Sequence, residues 1–313
     1  MARKFILPAV ILLSFSLSFV GKQLLNRPAQ QKFSGTGPCL SADPETLTYR
    51  RIISMAPSLT EVLFAIGLGD MVVGVTRYCD YPLEAKKKPQ VGGFLDPNYE
   101  AVLSLEPDLV VLLQEQVEAR RYLEEMGLNT LAADHRSVRG IINSIAAIGE
   151  ACGAAGKAQE LVNDLETRIT RVHRKTRNLP RTRVMVAVGR NLNEVSLGGI
   201  YISGRDGFYD QLLELAGGTN AYRQRTIALP AISAEGIQNL NPQVIVDIAP
   251  ALGPTVREKE DLIRAWDFAA GVDAVKNHRV YVFDEGYGVR PGPRFILLLE
   301  QMARVLHPEL EWD

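Results

Sequence analysis

Two glutamates stand in the same local frame, 135 residues apart. Glu100 lies in "NYEAVLSLEPDLVVL" and Glu235 in "SAEGIQNLNPQVIVDI". Each precedes a Pro by seven positions, each segment has a Leu two before that Pro, and each runs on into an apolar stretch. Asn98 and Ser233 stand two residues ahead of the glutamates, where a side-chain oxygen can cap a helix. A carboxylate in the first helical turn faces the positive end of the helix dipole, which favours it by about 0.3–1 kcal/mol. The residues support two readings: both glutamates simply start helices, or they present one acidic contact on each of two lobes.

Other reactive residue types are scattered. His135, His173, His278 and His307 form no H-E-x-x-H or similar close cluster, so no metal site is assigned. There is no G-x-S-x-G nucleophile elbow, no G-x-x-x-x-G-K-[ST] phosphate loop and no G-x-G-x-x-G. No catalytic residue is therefore assigned, and the chain is not expected to be an enzyme. Lys+Arg number 35 against 36 Asp+Glu, a net charge of -1. A non-specific nucleic-acid binder needs a basic surface, so no nucleic-acid partner is expected. Cys39, Cys79 and Cys152 show no C-x-x-C spacing and read as small buried hydrophobes.

The elements around these residues alternate in type. Arg3 and Lys4 precede the apolar run Phe5–Val20, the pattern of an export signal. Residues 1–22 are read as a signal peptide or an N-terminal anchor, and 23–49, polar with Gly and Pro, as a flexible tether. From residue 50, short apolar strands ("RIISM", "MVVGVT", "DLVVLL", "NTLAAD") alternate with helical patterns ("EVLFAIGLG", "VEARRYLEEMG", "SVRGIINSIAAIGEACG"). That alternation predicts a parallel sheet covered on both faces. Ser58 or Thr60 is the expected cap of the first helix. Residues 156–180 predict one amphipathic helix of about 22 residues, about 33 Å long, with Leu161, Leu165, Ile169 and Val172 on one face. A second α/β unit follows: strands "RTRVMVAVG", "PQVIVDIAP" and "HRVYVFDEG" with helices "GFYDQLLELAGGTN", "EKEDLIRAWDFAAG" and "PGPRFILLLEQMARVLHP". Asp206 is the expected cap of the first of these helices. The expected fold is α/β: two parallel-sheet lobes, 50–155 and 181–313, joined by one long rigid helix (156–180), with a ligand cleft between them.

The stretches "RIISMAPSLTEVLFAIGLGDMVVGVTRYCDYP", "VGGFLDPNYEAVLSLEPDLVV", "GGTNAY" and "PAISAEGIQNLNPQVIV", in this order and spacing, carry a resemblance. Over about residues 50 to 308 the chain resembles the periplasmic substrate-binding proteins of ATP-driven importers for vitamin B12 and iron–siderophore complexes. The resemblance implies ligand capture between the lobes, small lobe movement, and delivery to a membrane permease with its cytoplasmic ATPase. It implies that Glu100 and Glu235 dock onto permease arginines. Tyr78 and Phe94 match aromatic ligand contacts of the B12-binding relatives, whereas Leu113 and Leu229 stand where that pattern has tryptophans. Ligand contacts in such proteins come from loops at strand ends, and those loops here hold Arg77, Arg190, Arg205 and Arg290, with Tyr201 and Tyr287. Guanidinium groups stay charged and offer forked donors, which suits an anionic chelate. The expected ligand is an anionic ferric siderophore, with cobalamin or haem as alternatives. No cofactor is expected beyond that iron chelate or corrinoid. The protein is expected to work as a monomer in the periplasm or on the outer face of the cytoplasmic membrane. A non-transporting ligand sensor on the same fold is the remaining alternative.

Overall fold

The computed structural model describes residues 49–189, 200–224, 229–250 and 259–312. The signal or anchor, almost all of the tether, and Cys39 lie outside these residues.

The first lobe is built on β1 (Ile52–Ser54), β2 (Val72–Val75), β3 (Leu109–Leu113) and β4 (Thr130–Ala133). They form a sheet in the order β2-β1-β3-β4 with every pairing parallel. Its helices are α1 (Pro57–Ala65), α2 (Tyr99–Ser104), α3 (Val117–Glu125) and α4 (Val138–Ala151). α1 starts on Pro57 itself, with Ala56 at the cap and no side-chain bond there. A Pro at this position loses no helical hydrogen bond and arrives with a helical φ. Ser58 and Thr60 are therefore inside the helix and buried, not caps.

The long helix follows as α5 (Ala155–Thr176), 22 residues, burying Ala158, Val162, Leu165 and Val172. The second lobe contains β5 (Thr182–Gly189), β6 (Ile200–Ile202), α6 (Phe208–Leu215), β7 (Gly218–Asn220), β8 (Ala231–Ile232), α7 (Ala234–Leu240) and β9 (Val244–Ile248). It closes with α8 (Lys259–Arg264), α9 (Asp273–Lys276), β10 (Val280–Phe283) and α10 (Phe295–Leu306). The sheet order is β10-β9-β5-β6-β8, with β7 beside the first half of β5.

This second sheet corrects the expectation of a purely parallel one. β10, β9, β5 and β7 are parallel, but β6 runs antiparallel to both β5 and β8. Only residues 190–199 separate β5 from β6. A parallel crossover needs a dozen residues or more, whereas an antiparallel return does not. The helix expected over "EKEDLIRAWDFAAG" also divides: α8 ends at Arg264 and a separate 3-10 turn spans Asp267–Ala269. Asp206 does not cap α6; Gly207 occupies that place, and Asp206 adopts a positive φ of 68°.

The alternation of side chains along each strand separates two faces. Ile52, Val111, Val184 and Val246 join one apolar cluster that also takes in Ile145 of α4, Leu165 of α5 and Leu299 of α10. Ile53, Val110 and Leu112 pack instead with Val102 and Leu123 of α2 and α3. Met185 and Ile245 pack with Ile237 of α7 and Trp266. Each sheet thus has a private core on one face and a shared core on the other. The lobes are joined by that shared core as well as by α5.

Candidate functional site

The loops at the carboxyl ends of the two sheets meet, and charged side chains cross the junction. Arg290 follows a 3-10 turn, Gly286–Val289, at the end of β10. The Tyr209 hydroxyl of α6 donates to Gly288 O at 2.9 Å and fixes this turn. The Arg290 guanidinium grips Asp80, from the loop after β2, with both Nη atoms; the Nη2–Oδ2 bond is 2.8 Å. Four residues on, Arg294 makes a second forked pair, with Glu61 of α1, where Nε lies 2.9 Å from Oε2. Arg294 lies 3.7 Å from the centroid of the Tyr81 ring and 5.6 Å from that of Tyr287. Such positions over aromatic faces favour a cation.

The two pairs differ in burial. The Glu61 side chain is 2% exposed and that of Arg294 20%. Burial pushes the Glu61 carboxyl up, against the pull of Arg294. Asp80 is 44% exposed over an Arg290 that is 13% exposed.

Of the other predicted residues, Arg77, Tyr78 and Phe94 lie in the segment after β2 and Tyr287 in the turn after β10, whereas Tyr201 and Arg205 lie within and just after the antiparallel β6. Arg77 is exposed after β2 and pairs with Asp96 at 2.6 Å, its guanidinium 5.8 Å from the Tyr78 ring. Phe94 is half-buried against the shared core. Its turn is tight: Gly92 has φ +92°, and a Cβ there would lie 2.5 Å from Asn98 N. Gln116 anchors the same turn, donating to Phe94 O at 3.2 Å and accepting from Leu113 N at 3.0 Å. Tyr201 is half-buried in β6 and Arg205 exposed just after it. Asn220 holds the loop before Arg205 by donating to Ser203 O and Gly204 O, both at 3.1 Å. The Tyr287 hydroxyl lies 3.4 Å from Gln301 Oε1. Arg190 lies outside the described residues. Leu113 and Leu229 are half-buried. An open depression of about 300 Å³ lies between β4 and α4, lined by Ala133, Asn143, Ser144 and Ala147 among others.

Sequence reasoning did not find Glu61, Tyr81 and Arg294, and it assigned Asp80 no role. A lone acid in the apolar run of α1, and two arginines flanking "PGP", were the available signals. It also passed over His135, which is 3% exposed and places Nδ1 3.0 Å from the Ser58 hydroxyl. Burial pushes its imidazole down to about 4, with Asp134 and the Pro291 carbonyl pulling the other way. The unfolded chain therefore binds a proton that the folded protein refuses. Stability should fall as pH drops from about 6.5 to about 4, by roughly 3 kcal/mol in total for this group. His135→Asn should flatten the acid limb in that window relative to the wild type. Urea melts at pH 7 and pH 4.5 test this, and an unchanged acid limb would refute it. Among the described residues no three His, Cys, Asp or Glu side chains converge to hold a metal ion. Cys79 and Cys152 are free thiols and buried.

Glu100 and Glu235 are exposed, each in the first turn of its helix, α2 and α7. Asn98 caps α2 by accepting from Ala101 N at 3.0 Å, and Ser233 caps α7 by accepting from Gly236 N at 3.2 Å. The likeness extends beyond the helices. Glu106 and Asn241 both take positive φ, 45° and 39°, just before the buried Pro107 and Pro242. Arg51 donates to Glu106 O at 2.9 Å and Leu105 O at 2.6 Å; Arg183 donates to Leu240 O in the same way. Each motif then enters a core strand, β3 beside β1 and β9 beside β5.

Among relatives, an uncharacterized ABC transporter substrate-binding lipoprotein of Bacillus subtilis (strain 168) is 34% identical over 268 residues, covering 83% of this chain and 81% of the relative. The crystal structure of a periplasmic vitamin B12 binding protein of Vibrio cholerae matches with a TM-score of 0.70 at 25% identity, over 83% of this chain and 98% of that one. That of a possible iron-binding (periplasmic solute-binding) protein from Staphylococcus epidermidis ATCC 12228 matches with 0.69 at 26%, over 83% and 99%. Residues 52–287 match the sequence model of the periplasmic binding proteins, and the chain belongs to that family.

Proposed function

We propose that this protein captures an anionic ferric chelate, a ferric siderophore, between its two lobes and hands it to a membrane permease. Family membership makes it the substrate-binding component of an ABC importer. The observation that carries the ligand class is Arg290, whose guanidinium reaches across the lobe junction from a turn fixed by the Tyr209–Gly288 bond. Arg77, Arg205, Tyr78 and Tyr287 occupy strand-end loops of the two lobes, with Tyr201 in β6, and supply further donors and aromatic faces. Forked guanidinium donors match carboxylate and catecholate oxygens better than a neutral corrinoid face.

The test is native mass spectrometry of the protein against cobalamin, haem, a neutral ferric tris-hydroxamate and an anionic ferric tris-catecholate. Retention of the anionic chelate is expected. The paired substitution Arg77→Ala and Arg290→Ala should then weaken its binding by about 100-fold, at about 1.5 kcal/mol for each charge-assisted hydrogen bond removed. Unchanged affinity in a folded double variant would remove the arginines from the site.

Cobalamin is the second reading. The Vibrio cholerae relative is a vitamin B12 binding protein, and the sequence resemblance implies that Tyr78 and Phe94 match aromatic contacts of such proteins. Leucines at 113 and 229 in place of tryptophans weigh against it. Retention of cobalamin alone would overturn the chelate and leave the importer role. The docking role of Glu100 and Glu235, export by the N-terminal segment and a monomeric state complete the proposal.

A further inference from the structure

Arg290 is already occupied. Asp80 takes both of its Nη atoms from across the junction, so an anion arriving at this guanidinium meets a carboxylate in place. The neighbouring pair, Glu61–Arg294, cannot exchange in this way, because Glu61 has almost no access to water. Asp80 differs. It is 44% exposed on a loop, so on leaving Arg290 it returns to solvent at little cost. The backbone at Arg290 stays where the turn and the Tyr209–Gly288 bond hold it.

We propose that Asp80 is a specificity-determining residue: an internal anion that an anionic ligand must displace from Arg290 in order to bind. This rests on the proposed capture of an anionic chelate between the lobes. A multiply charged ligand exchanges one carboxylate for a stronger set of oxygens. A neutral ligand leaves the pair in place and gains nothing from Arg290. Asp80 also repels an anion that leaves it in place, since like charges brought together in a partly desolvated site disfavour each other. The carboxylate thus lowers the affinity for every anionic ligand while it raises the charge a ligand needs.

The experiment titrates ferric tris-catecholate (anionic) and ferric tris-hydroxamate (neutral) against the wild type, Asp80→Asn, Asp80→Ser and Arg290→Ala, and against Asp80→Asn combined with Arg290→Ala. Thermal melts check that each variant folds. Both Asp80 variants should bind the anionic complex about fivefold to tenfold more tightly than the wild type, the range of one partly exposed ion pair. Neutral-complex binding should not change, and the gain should vanish once Arg290 is absent. The inference is overturned if the Asp80 variants bind the anionic complex equally or more weakly, if the neutral complex gains as much, or if the gain survives without Arg290. Failure of the wild type to retain either chelate would instead speak against the proposed function, so the two failures appear in different proteins.

Discussion

Replacing Arg294 with leucine is expected to remove about 3–5 kcal/mol of stability at pH 8, the usual penalty for leaving one member of a buried pair alone. Glu61 is the reason. Its carboxylate is enclosed in α1, and both oxygens are held by Arg294. Burial already pushes this carboxyl upward despite the guanidinium. Without Arg294 the shift grows, and at pH 8 the folded state must either hide a bare charge or take a proton. A carboxyl whose folded pKa exceeds its unfolded one contributes most below the unfolded value and loses that contribution as pH rises through the folded value. Arg294→Leu should therefore recover part of its deficit between pH 8 and pH 5. The double substitution Glu61→Leu with Arg294→Leu should be milder than Arg294→Leu alone, because no charge is stranded. Urea denaturation of the three variants at both pH values decides the matter. A deficit below about 1 kcal/mol for Arg294→Leu, or one that does not shrink on acidification, would show that Glu61 is better solvated than its burial indicates.

Charge reversal at both helix starts, Glu100→Arg with Glu235→Arg, should abolish delivery while leaving ligand capture intact. Both side chains are exposed, and among the described residues neither takes part in a hydrogen bond or ion pair. The helix-start penalty is small, about 0.3–1 kcal/mol at each site, so the fold should survive. Docking is another matter. Matched charges steer encounter and fix register, and juxtaposed like charges cost several kcal/mol, enough to weaken docking by about 100-fold or more. Uptake by cells carrying the variant, measured beside ligand binding by the purified protein, separates the two roles. Normal uptake with intact binding would reduce both glutamates to helix starters.

How far the sequence discloses the molecule depends on the length over which a feature acts. β3 and β9 are legible because their sequences, LVVLL and VIVDI, are apolar but for Asp247 and are buried on two faces. β6, β7 and β8 have only two or three residues each and no periodicity to read. Thr60 has the residue type of a cap, but its hydroxyl donates to Ser54 Oγ at 2.8 Å inside the protein. The "EKEDLIRAWDFAAG" helix reads as continuous, yet the chain breaks where Trp266 turns inward to donate to Asp247 at 2.9 Å. The glutamate motif is legible because cap, acid and Pro lie within ten residues. The Asp80–Arg290 and Glu61–Arg294 partners are 210 and 233 residues apart. No local spacing records such pairings, so only the folded chain reveals that the predicted ligand arginine has a resident counter-ion.

The two corners that follow α2 and α7 leave no slack between helix and strand. A left-handed residue, a buried Pro and an arginine gripping the last carbonyls tie each helix to its sheet. Glu100 and Glu235 must therefore travel with β3 and β9, like the points of a caliper. Any rotation of one lobe against the other becomes a change in the spacing of two negative charges on the surface. A partner that measured that spacing would sense from outside whether the jaws had closed on cargo.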